Sequence, residues 1–428
     1  MKIPSPRVHP TTAKSGRRER RKHRRALAIA ASFTMISSLS LTACSGDEQT
    51  DSTAASVSQP AASFPGKAAT GTPIRIGLIN PEGGQALSSP EYRETAEAAA
   101  KYANAQLGGI GGHPIELVPC RNGEDPVSAR DCANRMVESK VSAVVVTSTG
   151  LGDVIVPIVT AAGIPYVSTA GQSTQELTTD GVYLWTGGFP ASLHAMATHA
   201  KSEHIKHVTA FSVDVPAAVN GLRALGSAYF SQAGVDLKIV PIPLGTPDAT
   251  PQISAGIADK PEGVVVVGDA TSCTASFKAL GTVGYTGDKM AIQSCVTPDV
   301  IAAVGPSINN TSIFTAAQTT GDNPEAVLYR SVVAQYSPHT DISGYAYVGY
   351  QGVLGLVRAT AGISGSDTSP AAIAAALKAA RNVPTPAGGG LTFTCDGSAN
   401  PALKAVCGKG SIVATLKDGN LVDPQVVD

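Results

Sequence analysis

Most of the short motifs that mark catalytic centres are missing from this chain of 428 residues. There is no His-Glu-x-x-His, no Gly-x-Ser-x-Gly and no Walker loop, which removes the common zinc-hydrolase, serine-hydrolase and P-loop routes. No Cys-x2-Cys spacing occurs, so a cysteine metal site is disfavoured. His194, His199, His204 and His207 lie close in sequence. His194 and His199 are five apart, however, and share no helical face as an i, i+4 pair would. After residue 41 no apolar run is long enough to span a bilayer, which takes about 20 residues. Basic residues are sparse beyond the first 43, where ten of the 32 Lys and Arg stand beside a single acid, Glu19. The remaining 385 residues hold 22 basic against 32 acidic side chains, a net charge of −10. An acidic body without a basic stripe argues against nucleic acid as a partner. Repeats of short period are absent too. No enzyme, metal or cofactor is expected.

What is present begins with one apolar run, residues 26–41. It follows a dense basic segment (Arg17, Arg18, Arg20, Arg21, Lys22, Arg24, Arg25) and closes in Leu41-Thr42-Ala43-Cys44. A charged start, a short apolar stretch and small residues before a cut site form a secretory signal. A cysteine directly after the cut looks like a bacterial lipobox. That predicts removal of residues 1–43, diacylation of Cys44 and a protein lipid-anchored on the extracytoplasmic face of the cell membrane. A signal peptide that happens to carry a cysteine, or a short anchor, are the competing readings. The pair Arg24-Arg25 leaves general and twin-arginine export both open. Residues 44–71 carry almost no large apolar side chain, which predicts a disordered tether reaching roughly 30 Å.

Six further cysteines follow: Cys120, Cys132, Cys273, Cys295, Cys395 and Cys407. An even number in an exported chain points to disulfides. They fall into local pairs 12, 22 and 12 residues apart, predicting Cys120–Cys132, Cys273–Cys295 and Cys395–Cys407.

A mature body of 385 residues exceeds the usual single core and suits two domains. Its pattern alternates. Strands are predicted at 74–79, 114–119, 141–147 and 165–168, with helices at 92–107, 128–139 and 154–162 between them. Beyond about Trp185 the series restarts, with helices at 194–204, 217–233 and 274–281 and strands at 207–212, 237–241, 263–268 and 290–293. Such alternation means parallel sheets covered on both faces. The fold class is therefore α/β, with two doubly wound parallel-sheet domains. Late helices at 324–336, 345–361 and 370–380 are too few for a third domain and return to the first. A loop rich in Pro and Gly follows at 384–390, and a hairpin turned at Asp418-Gly419 closes the chain. The expected division is 72–190 plus 320–385 for the first domain and 191–319 plus 386–428 for the second.

At this point the chain resembles type I periplasmic binding proteins of the leucine/isoleucine/valine-binding class, the solute receptors of ABC importers. The resemblance covers about residues 73–428. It rests on Pro73-Ile74-Arg75-Ile76-Gly77-Leu78, on the turn Leu107-Gly108-Gly109-Ile110-Gly111-Gly112-His113-Pro114, on Glu124-Asp125-Pro126, on Lys140-Val141-Ser142-Ala143-Val144-Val145-Val146 and on Ala162-Gly163-Ile164-Pro165, in that order. Gly108-Gly109 closes a helix. Because the glycines follow a helix rather than a strand, they are no dinucleotide fingerprint.

The resemblance implies two lobes joined by about three hinge crossings, closing on a ligand in the cleft as a flytrap does. Ligands of open parallel sheets sit beyond the carboxyl ends of the strands. The family holds a ligand carboxylate with two first-domain loops, and the matching positions here are Ser148, Thr149, Gly171 and Ser173. Ordinary helix capping accounts for the same residue types. Gln85 and Ser88 of the opening loop border the cleft as weaker candidates. The second domain of the family supplies an aromatic and an acid for the ammonium end. This sequence departs there: Asp269-Ala270-Thr271-Ser272-Cys273 stands where aromatics are usual, and Gln293-Ser294-Cys295 where an acid is expected. Asp269 or Asp214 would replace the missing carboxylate. Tyr345, Tyr347 and Tyr350 are read as packing residues. The implied function is capture of a small polar solute (an amino acid, an amide or a short carboxylic acid) by a monomer that delivers it to permease subunits. A tethered sensor signalling to a partner receptor is the alternative.

Overall fold

The computed structural model describes residues 63–84 and 87–427. Cys44, the predicted signal and Gln85 lie outside them. The described chain opens with β1 (Ile74–Pro81), α1 (Pro90–Gln106), β2 (Ile115–Asn122), α2 (Pro126–Glu138), β3 (Ala143–Val146), α3 (Gly152–Ala161), β4 (Tyr166–Ser168), α4 (Thr174–Thr178) and β5 (Val182–Leu184). A second series runs α5 (Gly188–Ser202), β6 (His207–Val213), α6 (Pro216–Gly221), α7 (Ser227–Ala233), β7 (Asp236–Ile242), α8 (Thr250–Gly256), β8 (Gly263–Val267), α9 (Ala270–Thr282), β9 (Asp288–Ile292), α10 (Pro298–Val304) and β10 (Thr311–Thr315). The remainder supplies α11 (Pro324–Tyr336), α12 (Tyr347–Ala359), α13 (Pro370–Ala379), a ribbon of β11 (Val383–Pro384) with β12 (Thr392–Phe393), and the hairpin β13 (Ser411–Lys417) and β14 (Asn420–Val427).

The first sheet is parallel throughout, in the order β2-β1-β3-β4-β5. In the second sheet β7-β6-β8-β9-β10 repeats that order and is also parallel. The hairpin then extends it antiparallel through β13 on β10. The α/β expectation of two doubly wound parallel sheets is borne out. Central strands β3 (Ala-Val-Val-Val) and β8 (Gly-Val-Val-Val-Val) are buried along their whole length. Helices on both faces make such continuous apolar runs necessary. Prolines in the first turn start α1, α2, α10, α11 and α13, where the missing N–H costs nothing.

Each sheet carries a core on either face. For the first sheet one core gathers α1, α11 and α12, and the other α2 and α3. For the second sheet α8, α9 and α10 cover one face and α5 and α7 the other. The late helices thus complete the first sheet. Helix α12 lies unusually near its neighbours because Gly349, Gly352 and Gly355 recur every third residue. A Cβ at Gly349 would collide with the Tyr92 carbonyl oxygen of α1, and one at Gly352 would come within 2.8 Å of Val145 in β3.

Besides the short elements α4, β5, α8, α10 and β10, which the sequence reading did not place, four details differ from it. Residues 63–71 of the expected tether lie along α1: Phe64 meets the Tyr102 ring edge-on at 5.3 Å, and the Lys67 and Ala69 N–H groups donate to carbonyls of Gln106 and Asn104. The stretch 387–407, expected with the second sheet, packs into both cores of the first. Phe393 stacks on Trp185 at 4.8 Å there, and Val406 bridges to Leu184. The helix expected at 217–233 carries one π turn at Leu222–Gly226. Finally, α5 begins at Gly188, six residues earlier than its apolar pattern indicated. All three expected disulfides are formed.

Candidate functional site

A cavity of about 390 Å³ lies at the carboxyl ends of both sheets. From the first sheet it is reached by Tyr92 at the start of α1, by Thr147 and Ser148 after β3, and by Thr169 to Gln172 after β4. From the second sheet come Val213 and Val215, Val267 and Gly268, Ile292, and Phe314 to Ala316. The first turns of α5 and α12 close the sides with Phe189, Ser192, Tyr345 and Tyr347.

The first-sheet loops are held by carboxyl groups of the chain itself. After β2, Glu124 turns toward the start of α3. It accepts from the Thr149 hydroxyl at 2.8 Å and from the Gly150 N–H at 2.8 Å. Thr149 is buried and accepts in turn from the Leu151 N–H. After β4, Glu176 in α4 accepts from the Gln172 and Ser173 N–H groups and from the Ser173 hydroxyl, all within 3.0 Å. Its other oxygen receives the Tyr166 hydroxyl at 2.5 Å. Burial holds the Glu176 carboxyl above its ordinary value, against the pull of these donors. Glycine is required at 171, since a Cβ there would come within 2.9 Å of Glu176 and Leu184.

Of the expected ligand contacts, Ser148 and Gly171 line the cavity. The Ser148 hydroxyl accepts from the Gln172 side-chain amide at 3.0 Å. Thr149 and Ser173 sit one step behind, committed to Glu124 and Glu176. Asp214 is exposed and does not line the cavity, although Val213 and Val215 on either side do. Asp269 is exposed and caps α9 through the Ser272 N–H at 2.8 Å. Ser88 is exposed and accepts from the Gly83 N–H within its own loop. Glu82 is nearly buried and neutralised by Arg93 at 2.8 Å and Arg121 at 3.2 Å.

Tyr345, Tyr347 and Tyr350 pack with the first core as read, Tyr350 against Tyr329; Tyr345 and Tyr347 stand in the cavity wall as well. Burial pushes the Tyr345 phenol up to about 12, so it remains a neutral hydroxyl. Tyr92 and Phe189 were missed. For Phe189 the signal was the Gly187-Gly188 pair, which marks the true start of α5. Across the second-sheet loops the Cys273–Cys295 bridge and a Ser294 hydroxyl bond to the Gly268 carbonyl at 2.5 Å fix the wall.

This arrangement holds rather than reacts. No group of three or more His, Cys, Asp or Glu suited to a metal occurs among the described residues. No described helix is long and apolar enough to cross a membrane.

The chain is similar to several solved structures. One is the leucine binding protein LivK of Thermotoga maritima, 20 % identical with a TM-score of 0.66, the match covering 83 % of this chain and 99 % of that one. A second is the branched-chain amino acid transporter substrate binding protein LivJ of Streptococcus pneumoniae in complex with isoleucine, at 19 %, 0.66, 83 % and 99 %. A third is an ABC transporter substrate-binding protein from Sphaerobacter thermophilus, at 19 %, 0.70, 83 % and 97 %. Among curated proteins none matches. Identities this low carry the fold alone, but residues 73–409 also match the family of periplasmic binding proteins as a whole. With the match spanning most of the chain, this protein belongs to the periplasmic binding protein family, whose members are extracytoplasmic solute receptors and not catalysts.

Proposed function

We propose that this protein captures a small solute between two lobes by hinge closure and delivers it to the permease of an ABC importer. Each lobe is built on one sheet, with residues 387–407 moving with the first. The supporting observation is the cavity, walled by the carboxyl ends of both sheets while only the segments 185–188, 316–323 and 408–410 run between them. So few connections suit a rigid-body hinge. Amino acids are the first class to test, because LivK is named for leucine and LivJ was solved with isoleucine. Amides and short carboxylic acids follow. A lipid on Cys44 would hold the receptor beside its permease.

The single tryptophan offers the test. Trp185 is buried in the first connection, stacked on Phe393 and donating to the Gly352 carbonyl at 3.3 Å. Closure is expected to change its fluorescence and to lower the radius of gyration in small-angle scattering. Pools of amino acids, amides and carboxylic acids that alter neither would sink the proposal. Mass spectrometry of membrane-bound protein, with Cys44→Ser released into the soluble fraction, tests the anchor.

A further inference from the structure

We infer that the ligand of this cavity is an uncharged molecule with a largely apolar body, and not an amino acid zwitterion. This rests on the solute-binding reading above and narrows its substrate class. No Asp, Glu, Lys, Arg or His is among the described residues that line the cavity. An ammonium group would therefore enter without a counter-charge, since Asp214 and Asp269 are exposed outside it and Asp269 is spent on a helix cap.

A carboxylate fares no better. Its natural partners would be the amides and hydroxyls of the loops after β3 and β4. Glu124 already takes the Gly150 N–H and Thr149 hydroxyl, and Glu176 takes the Gln172 and Ser173 N–H groups with the Ser173 hydroxyl. Those donors are spent on the chain's own carboxyl groups behind the wall. Threonine hydroxyls in the wall are committed as well: Thr147 donates to Asn80, Thr169 to the Val348 carbonyl and Thr186 to the Thr169 carbonyl. A charge buried without partners is strongly disfavoured.

What the cavity does offer is apolar surface and neutral polar groups, among them the side chains of Tyr92, Ser192, Tyr345 and Tyr347. Phe189, Leu225, Val267, Ile292, Phe314 and Val348 supply the surface. The Gln172 amide and the Ser148 hydroxyl form a neutral pair in the wall, matched to a carbonyl, amide or hydroxyl of an uncharged ligand.

Three probes of one shape and different charge test this: leucine as zwitterion, 4-methylpentanoate as anion and 4-methylpentanamide as neutral molecule. Each is titrated into the full body while Trp185 fluorescence and thermal unfolding are followed. The amide is expected to bind, and the charged probes to bind at least about ten-fold more weakly. Ser148→Ala and Gln172→Ala should each weaken the amide by roughly ten-fold. Leucine or 4-methylpentanoate binding as tightly as the amide overturns the inference. If no probe binds but a pooled solute closes the protein, that solute is identified by mass. A neutral one supports the inference and a charged one overturns it, with the receptor function intact in both cases. No closure with any probe or pool sinks the receptor function and this inference with it.

Discussion

Loops that reach the cavity from the first sheet are tied down by two glutamates, whereas those from the second are tied by a disulfide and lined by valine and isoleucine. Glu124 and Glu176 together collect hydrogen bonds from Tyr166, Thr149, Gly150, Gln172 and Ser173. Opposite them, Cys273 and Cys295 are both fully buried and join the first turn of α9, after β8, to the turn after β9. One wall therefore depends on polar partners. The other depends on a covalent link and on apolar fit. Substitutions that respect this difference should act on one wall at a time.

The largest effect is expected from the second wall. Replacing Cys273 and Cys295 together by serine should cost about 3 kcal/mol on loop-closure entropy, read as a lower melting temperature. It should also weaken solute-induced closure. Removing Cys120 and Cys132, which join β2 to α2 away from the cavity, should cost about the same in stability and leave closure alone. Equal losses of closure in both variants would break the comparison.

On the first wall, Glu176→Ala strands the Tyr166 hydroxyl and two N–H groups in a buried site. A loss of about 2 kcal/mol in denaturant unfolding is expected. An unchanged midpoint would mean that the loop is held by something else. Glu176→Gln isolates the titration. The folded carboxyl keeps its proton to higher pH than the unfolded one, whose ordinary value is 4.5. Its contribution to stability is therefore full below that value and is lost as pH rises through the raised folded value. Unfolding of the wild type across that window should show this decline, and the glutamine variant should not. The smallest effect belongs to Ile292→Val, which removes one methylene from the apolar wall. It should weaken solute binding by about 0.8 kcal/mol or less, measured by fluorescence titration, with the pH response unaltered.

Much of the fold was legible because its signals are local. Valine runs at 143–146 and 263–267 mark central strands, and Pro126, Pro324 and Pro370 mark helix starts. Short elements escaped. The strands Val182–Leu184 and Thr311–Thr315 are too brief to show a period, yet β10 lies inside its sheet, between β9 and β13. The seven-residue helices α8 and α10 escaped as well, although Thr250-Pro251 and Thr297-Pro298 stand at their starts. In the site, Ser148 and Gly171 could be found by position after a strand. That Thr149 and Ser173 are spent on internal glutamates could not, because Glu124 comes from another loop and reaches across 25 residues to Thr149. Tyr345 and Tyr347 pack as read, but that they also line the cavity was not legible, for a related reason. Whether a helix start faces a core or a cavity depends on the sheet opposite it.

The spacing of the cysteines has a consequence for how such a chain is made. No bridge links residues more than 22 apart, and each joins one cysteine to the next along the chain. A segment of about ten residues closes on itself in roughly 10–100 ns, far faster than a chain lengthens or is threaded across a membrane. With Cys44 capped by the proposed lipid, oxidation in order of arrival yields the native set directly. Maturation outside the cytoplasm then needs an oxidant but little reshuffling, and a reduced, unfolded sample should regain its correct bridges without an isomerase.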